Sequence, residues 1–355
     1  MKICYLANAR SIHTQRWARH FSGRGWDVTV ISFEEGDIDG VSVISIPYRT
    51  ISRHLNILLG ILDIHKLIQK LNPDILHAHY ATSYGLAGAL SDRHPFVVTA
   101  WGSDVLVMPE KSWVYRQIVR FVFGRADLIT SMAPHMTEHL VKKGYAQADR
   151  IVNLPFGVDT NVFNLHKRPR LHTIQPCIVI STRRQDYGMD VDTLVRAIPA
   201  ILKKYENTQF VITGEGPLRK SVEQLAGNLG IACNIEFRGE VPHLEMPDLL
   251  SKTDVFVSTS PSDGNNISLN EAMACGAFPI ATDILANRAW IKPGKNGMVY
   301  SCREADQLAD RIIEALERPG WREDVMAENW EIVRTRASWS DSMEEMTAHY
   351  GRLLR

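Results

Sequence analysis

Two rhythms of apolar residues alternate along almost the whole chain. Short unbroken apolar runs suit strands buried on both faces, and stretches with an apolar residue every three or four positions suit helices. Residues 2–7 read as a first strand, 8–13 as a polar loop, 14–22 as a helix and 27–32 as a second strand. Further strands are predicted at 41–46, 74–79, 96–100, 127–132 and 150–154, with helices at 55–71, closed by Asn72-Pro73, and at 113–125. A second alternation starts at Cys177–Thr182, with strands at 210–213, 235–237, 254–258 and 298–300, and the remainder helical to Arg355. Between the two lies 166–176, polar, basic and punctuated by proline, which reads as an interdomain linker. The pattern predicts two similar α/β halves and no other repeat.

The totals refine this picture. A chain of 355 residues is long enough for two domains, each with its own core. Overall charge is balanced, but Lys and Arg outnumber Asp and Glu by 19 to 14 through Arg168, and the balance reverses to 21 against 26 afterwards. A basic first half suggests that it faces something anionic; no nucleic-acid partner is expected. The five cysteines are scattered without metal-type spacing and read as reduced thiols of a cytosolic protein. Met1 leads straight into a strand and no apolar run reaches membrane length, so a soluble, cytoplasmic chain is expected, able to sit on the inner face of a membrane. One helix, 113–125, sets Arg116 and Arg120 a turn apart beside Trp113, Tyr115, Phe121 and Phe123. Either it meets a membrane surface or it simply covers a sheet.

The candidate chemistry centres on residues 260–280. Turn formers fill the loop Ser260–Asn266, Asn266 stands where it can cap a helix over 267–275, and Gly276 then Pro279 lead into a buried strand. A loop at the carboxyl end of a strand, opening a helix, is where open α/β sheets bind ligands, and helix N-termini attract phosphate. Asp263 and Glu271 lie beside that seat, where carboxylates accept hydrogen bonds from sugar hydroxyls. The implied ligand is a nucleotide-sugar. The loop 8–13 contains no glycine, which argues against a nicotinamide or flavin enzyme. His77 and His79 share one face of a strand, yet no third metal ligand is obvious nearby. The acidic pair Asp37 and Asp39 reads as a solvated turn.

Asp263, seven intervening residues, Glu271 and then Ala272-Met273-Ala274-Cys275-Gly276 resemble the donor-binding signature of the retaining family-four (group 1) glycosyltransferases, with Asp263 where Glu is usual and Gly264-Asn265-Asn266 for Gly-Phe-Gly. Ser11-Ile12-His13-Thr14-Gln15-Arg16-Trp17 is similar to an opening found in some members, and Asp74 with His77 and His79 to another motif. Trp101-Gly102-Ser103-Asp104 stands where many members have H-G-x-D, Gly157-Val158-Asp159 with Phe163 where the first domain ends, and Arg183 or Arg184 where an Arg meets the diphosphate. No Lys follows before Lys203. Gly214-Glu215-Gly216-Pro217 and Arg238–Pro242 resemble the turns around the nucleotide.

The resemblance covers nearly the whole chain, most densely 177–300. It implies a GT-B fold, two doubly wound, Rossmann-like domains facing across a cleft: 1–165 with the last helix, 338–355, for the acceptor, and 170–337 for the donor. The implied catalytic set is Asp263, Glu271, Arg183, Trp101 and Asp104. The implied donor-binding set is Ser11, His79, Arg183, Arg184, Gly214, Arg238, Gly264, Asn265, Asn266, Ile267, Ser268 and Glu271. No metal and no other cofactor is implied. The expected reaction is sugar transfer from a UDP- or GDP-type donor to a glycan or lipid-linked cell-envelope acceptor. Two rivals are a nucleotide-sugar epimerase of the same shape and an exported, non-catalytic sugar-binding protein.

Overall fold

The computed structural model describes residues 1–47, 49, 53–168 and 176–355, so most of the expected linker, 169–175, lies outside the described residues. The chain packs as two units, Met1–Phe156 with Ser342–Arg355, and Gly157–Asp341.

The first unit is built on β1 (Lys2–Leu6), β2 (Asp27–Ser32), β3 (Ser42–Ser45), β4 (Ile75–His79), β5 (Phe96–Ala100), β6 (Leu128–Ser131) and β7 (Ile151–Asn153). They form one parallel sheet in the order β3-β2-β1-β4-β5-β6-β7. Every residue of β4 and β5 is buried, as a sheet covered on both faces requires. The helices are α1 (Ile12–Gly23), α2 (Arg53–Leu71), α3 (Tyr84–Leu90), α4 (Met108–Lys111), α5 (Trp113–Arg125) and α6 (Pro134–Lys142). Helix α1 begins two residues earlier than the periodicity suggests, and α3 and α4 are additions to it. In α3, Gly88 lets the Phe96 ring close in: a Cβ there would lie 2.4 Å from it.

The second unit carries β8 (Ile178–Ser181), β9 (Gln209–Thr213), β10 (Ile235–Gly239), β11 (Val255–Ser258), β12 (Phe278–Thr282) and β13 (Met298–Tyr300), parallel in the order β10-β9-β8-β11-β12-β13. Its helices are α7 (Val191–Leu202), α8 (Arg219–Asn228), α9 (Met246–Ser251), α10 (Ile267–Ala274), α11 (Leu285–Arg288), α12 (Ala305–Glu317) and α13 (Pro319–Arg336). One core joins α7 and α12 to the sheet through Leu194, Ile198, Phe210, Ile280 and Ile312. The other joins α10 and α13 to it through Phe256, Leu269, Met273 and Val333.

The boundary expected at residue 165 falls instead at 157. Val158 and Phe163 are fully buried in the α10–α13 core. Val158 N–H donates to Ala337 O at 2.7 Å, and Trp339 N–H donates to Val158 O at 2.9 Å. Gly157 is a glycine for want of room, since a Cβ would sit 2.3 Å from the Trp339 backbone. The last helix, α14 (Trp339–Leu353), then ends in the first unit, where Tyr350 is fully buried. Among the described residues no helix is long and apolar enough to cross a membrane.

Candidate functional site

In the second sheet the strand order reverses between β8 and β11, which pair with Val255 opposite Val179 and Phe256 opposite Ile180. Loops leaving two such strands turn to opposite faces and leave a crevice at their carboxyl ends. The loop after β8 carries Arg183, and the loop after β11 carries Asp263. Arg183 Nε and Nη2 donate to Ser258 Oγ at 3.1 and 3.0 Å, and Nη2 also donates to Asp263 Oδ2 at 2.8 Å. Their side chains are 12% and 18% exposed, so the pair is screened less than a surface ion pair. The sequence left Arg183 and Arg184 equivalent; the fold separates them. Arg184 is 66% exposed, and its nearest carboxylate is Asp186 at 3.8 Å.

The neighbouring turns press on this arginine loop. Gly214 adopts a left-handed backbone (φ +87°), and a Cβ on it would lie 2.9 Å from Arg183 O. Its N–H donates to Gly239 O at 2.6 Å, and Gln185 Nε2 donates to its carbonyl at 2.9 Å. Gly214 therefore holds the shape of the loop.

The two asparagines expected to bind the donor are largely occupied by the fold. Asn266, fully buried, caps α10 by accepting from Leu269 N–H at 3.1 Å. Its amide donates to Ser258 Oγ at 2.9 Å and Asn287 Oδ1 at 2.8 Å. Asn265 Oδ1 accepts from Trp290 Nε1 at 3.0 Å. Ile267 N–H donates back to Asn265 O at 2.9 Å. Of the first three N–H groups of α10, that of Ser268 has no partner among the described residues. Gly264, beside these two asparagines, is buried as well.

Glu271 lies one turn into α10 and is 7% exposed, so it is more enclosed than a simple lining residue. Its Oε1 accepts from His243 Nε2 at 2.9 Å; a carboxylate oxygen only accepts, so Nε2 carries the proton. His243 packs against the Phe163 ring at 5.1 Å between centroids. His243 lies one residue beyond the Arg238–Pro242 turn, and Ser258 is the last residue of β11; neither carries a motif that marks it in the sequence. Arg238 stands apart from this group, exposed on β10 and donating to Glu236 Oε1 at 2.6 Å.

The first unit corrects several expectations. Asp104, expected to bond a substrate hydroxyl, has no exposed surface. Its Oδ1 accepts from the N–H groups of Trp101 and Gly102 at 3.0 and 2.9 Å, and its Oδ2 from Ala81 N–H at 2.8 Å. Burial nevertheless pushes its pKa up to about 6. His79, expected to line a cleft, is 1% exposed among the rings of Tyr5, Trp17, Trp101 and Phe156. Burial lowers its pKa to about 3, and neither ring nitrogen has a hydrogen-bond partner among the described residues. His77 is a core residue, bonded through Nδ1 to the Tyr350 hydroxyl at 2.5 Å and through Nε2 to Thr99 Oγ1 at 2.7 Å. Among the described residues no three His, Cys, Asp or Glu side chains group as metal ligands. Trp101 packs on His13 and Phe156. Ser11 precedes α1 without capping it through its hydroxyl.

Two parallel Rossmann-like sheets, with a cation, carboxylates and a helix N-terminus gathered at the switch point of the second, define a protein of the GT-B class. Residues 2–133 match the family described as "Glycosyl transferase 4-like", and residues 164–331 match "Glycosyl transferases group 1". The chain belongs to this group 1, family-four glycosyltransferase family. It is 28% identical over 255 residues to a GDP-mannose-dependent alpha-(1-6)-phosphatidylinositol monomannoside mannosyltransferase of Mycobacterium tuberculosis, a match covering 66% of each chain, just under two thirds of that enzyme. Among solved structures it is similar to sucrose-phosphate synthase from Thermosynechococcus elongatus, with a TM-score of 0.84, 18% identity and 99% and 98% of the two chains covered. It is also similar to HepE of Anabaena in complex with UDP-glucose, with a TM-score of 0.81, 17% identity and 99% and 100% covered.

Proposed function

We propose that this chain is a retaining glycosyltransferase that moves a sugar from a UDP- or GDP-type donor to a glycan or lipid-linked cell-envelope acceptor. The observation that carries this reading is Arg183, held by Ser258 and Asp263 at the carboxyl ends of β8 and β11. The second unit takes the donor and the first the acceptor. Arg183, with the N-terminus of α10, faces the diphosphate and meets the negative charge that grows there as the glycosidic C–O bond breaks. Glu271 accepts the ribose hydroxyls, and Asp263 contacts the transferred sugar. The acceptor hydroxyl attacks from the side the phosphate leaves, a new C–O bond forms on that face, and its proton passes to the departing phosphate. That route keeps the anomeric configuration without a protein nucleophile or a resident metal. A GDP-mannose-dependent relative and a UDP-glucose complex of a structural neighbour support the donor class.

The test is Arg183→Ala with Arg184→Ala as its control. Losing charge-assisted bonds worth roughly 1.5–3 kcal/mol should weaken UDP or GDP binding about 10- to 100-fold and leave the nucleoside alone unaffected. Unchanged diphosphate affinity in Arg183→Ala would place the phosphates elsewhere. Product analysis separates transfer, which releases a nucleotide, from epimerisation, which isomerises the donor sugar.

For an acceptor carried on lipid, the same proposal puts the first unit against the inner face of a membrane. Helix α5 buries Val119, Val122 and Phe123 but leaves Trp113 68% and Val114 57% exposed. The expected outcome is flotation with acidic liposomes at low salt, lost as salt rises and lost in Trp113→Ser/Val114→Ser. Equal flotation of both proteins would remove α5 from the contact.

A further inference from the structure

Glu271 can hold a ribose only if its carboxylate is aimed, and the only side-chain hydrogen bond to it among the described residues comes from His243. The two residues belong to different elements: Glu271 to α10, and His243 to the loop between β10 and α9. Both side chains are largely enclosed, at 10% and 24% exposed, so the bond at 2.9 Å is sheltered from water on most sides. The imidazole is backed by the Phe163 ring, tilted 53° to it, and Phe163 is itself fully buried. Ring, donor and carboxylate thus form a chain fixed at its far end by the core.

We infer that His243 is a positioning residue: it holds Glu271 Oε1 so that Oε2 is presented to the vicinal hydroxyls of the donor ribose. The bond also ties α10 to the loop that follows β10. This rests on the ribose reading given above, and the experiment keeps the two apart.

The full chain is titrated with UDP or GDP, whichever binds more tightly, and with the 2′,3′-dideoxy form of the same nucleotide. Wild type should prefer the ribose form strongly, and Glu271→Ala should scarcely prefer it. His243→Ala should reduce the preference about tenfold while leaving affinity for the dideoxy form unchanged. His243→Gln, whose amide N–H can reach the same oxygen, should recover most of it. In the Glu271→Ala background, His243→Ala should have no further effect on the preference. If His243→Ala does not fold, His243→Gln against the volume-matched His243→Leu makes the same comparison. Full ribose preference in His243→Ala, equal weakening of both nucleotides, or an undiminished effect in the Glu271→Ala background would overturn the inference. If Glu271→Ala itself still discriminates like wild type, the ribose reading falls and this inference with it; if only the His243 variants discriminate, His243 alone loses its role.

Discussion

Asp104, in the helical turn Ser103–Val107 after β5, is held by three backbone N–H groups and sees no solvent. Burial raises its pKa from 3.8 to about 6 despite those donors. Between these values the folded chain binds a proton that the unfolded chain has released. Its contribution to stability therefore grows as pH falls through 6 and is complete below about 4. His79 runs the opposite way: with its pKa lowered to about 3 by burial, the unfolded chain takes the proton first, and stability is lost as pH falls below 6.5. Comparing wild type with Asp104→Asn cancels the histidine contribution. Urea unfolding from pH 7 down to pH 4 should shift the difference in favour of wild type by up to about 3 kcal/mol. A difference independent of pH would mean that Asp104 titrates alike folded and unfolded. Such a carboxylate ties the backbone at Trp101 and Gly102 to that at Ala81.

At the scale of elements, α10 and the loop before it depend on one amide. Asn266 caps the helix, and it donates to Ser258, the same oxygen that receives Arg183, and to Asn287. Asn266→Ala should cost about 2–4 kcal/mol in urea unfolding, about 1 for the cap and the rest for buried partners left unpaired. A cost below about 1 kcal/mol would mean that water replaces the amide. The element order was readable because buried parallel strands are unbroken apolar runs. Helix α3 was not: seven residues containing Gly85 and Gly88 give neither length nor propensity, and their fit against Phe96 is a tertiary fact. Asp263, Glu271 and one of two arginines were legible as chemistry beside a helix start. Which arginine, and the contact of His243 with Glu271, were not, because packing between distant segments decides both. The same holds for His79, whose two polar nitrogens gave no hint of an aromatic enclosure.

For the whole molecule, the chain passes between its units twice, at Phe156–Gly157 and at Asp341–Ser342. Arg183, His243, Ser258, Asp263 and Glu271 all lie in the second unit, which owns both of its cores. A fragment of 157–341 should therefore fold and bind UDP or GDP about as tightly as the full chain. The first unit is not continuous, since it needs the end of α14. Met343, Met346 and Tyr350 are fully buried there, and the Tyr350 hydroxyl bonds His77 Nδ1 at 2.5 Å and lies 3.3 Å from that of Tyr5. Ending the chain at Asp341 would open the space of three large side chains, at roughly 2–5 kcal/mol each, and leave His77 Nδ1 without the Tyr350 hydroxyl. That exceeds the roughly 5–15 kcal/mol that holds a domain folded, or comes close to it. Calorimetry of the truncated chain should retain the transition that UDP or GDP raises and lose or sharply lower the other. Tyr350→Phe, which keeps the volume and removes one hydroxyl, should lower only that second transition, by the equivalent of about 1–3 kcal/mol. If the truncated chain keeps both transitions, or if the 157–341 fragment binds no nucleotide, the division of labour between the units is wrong.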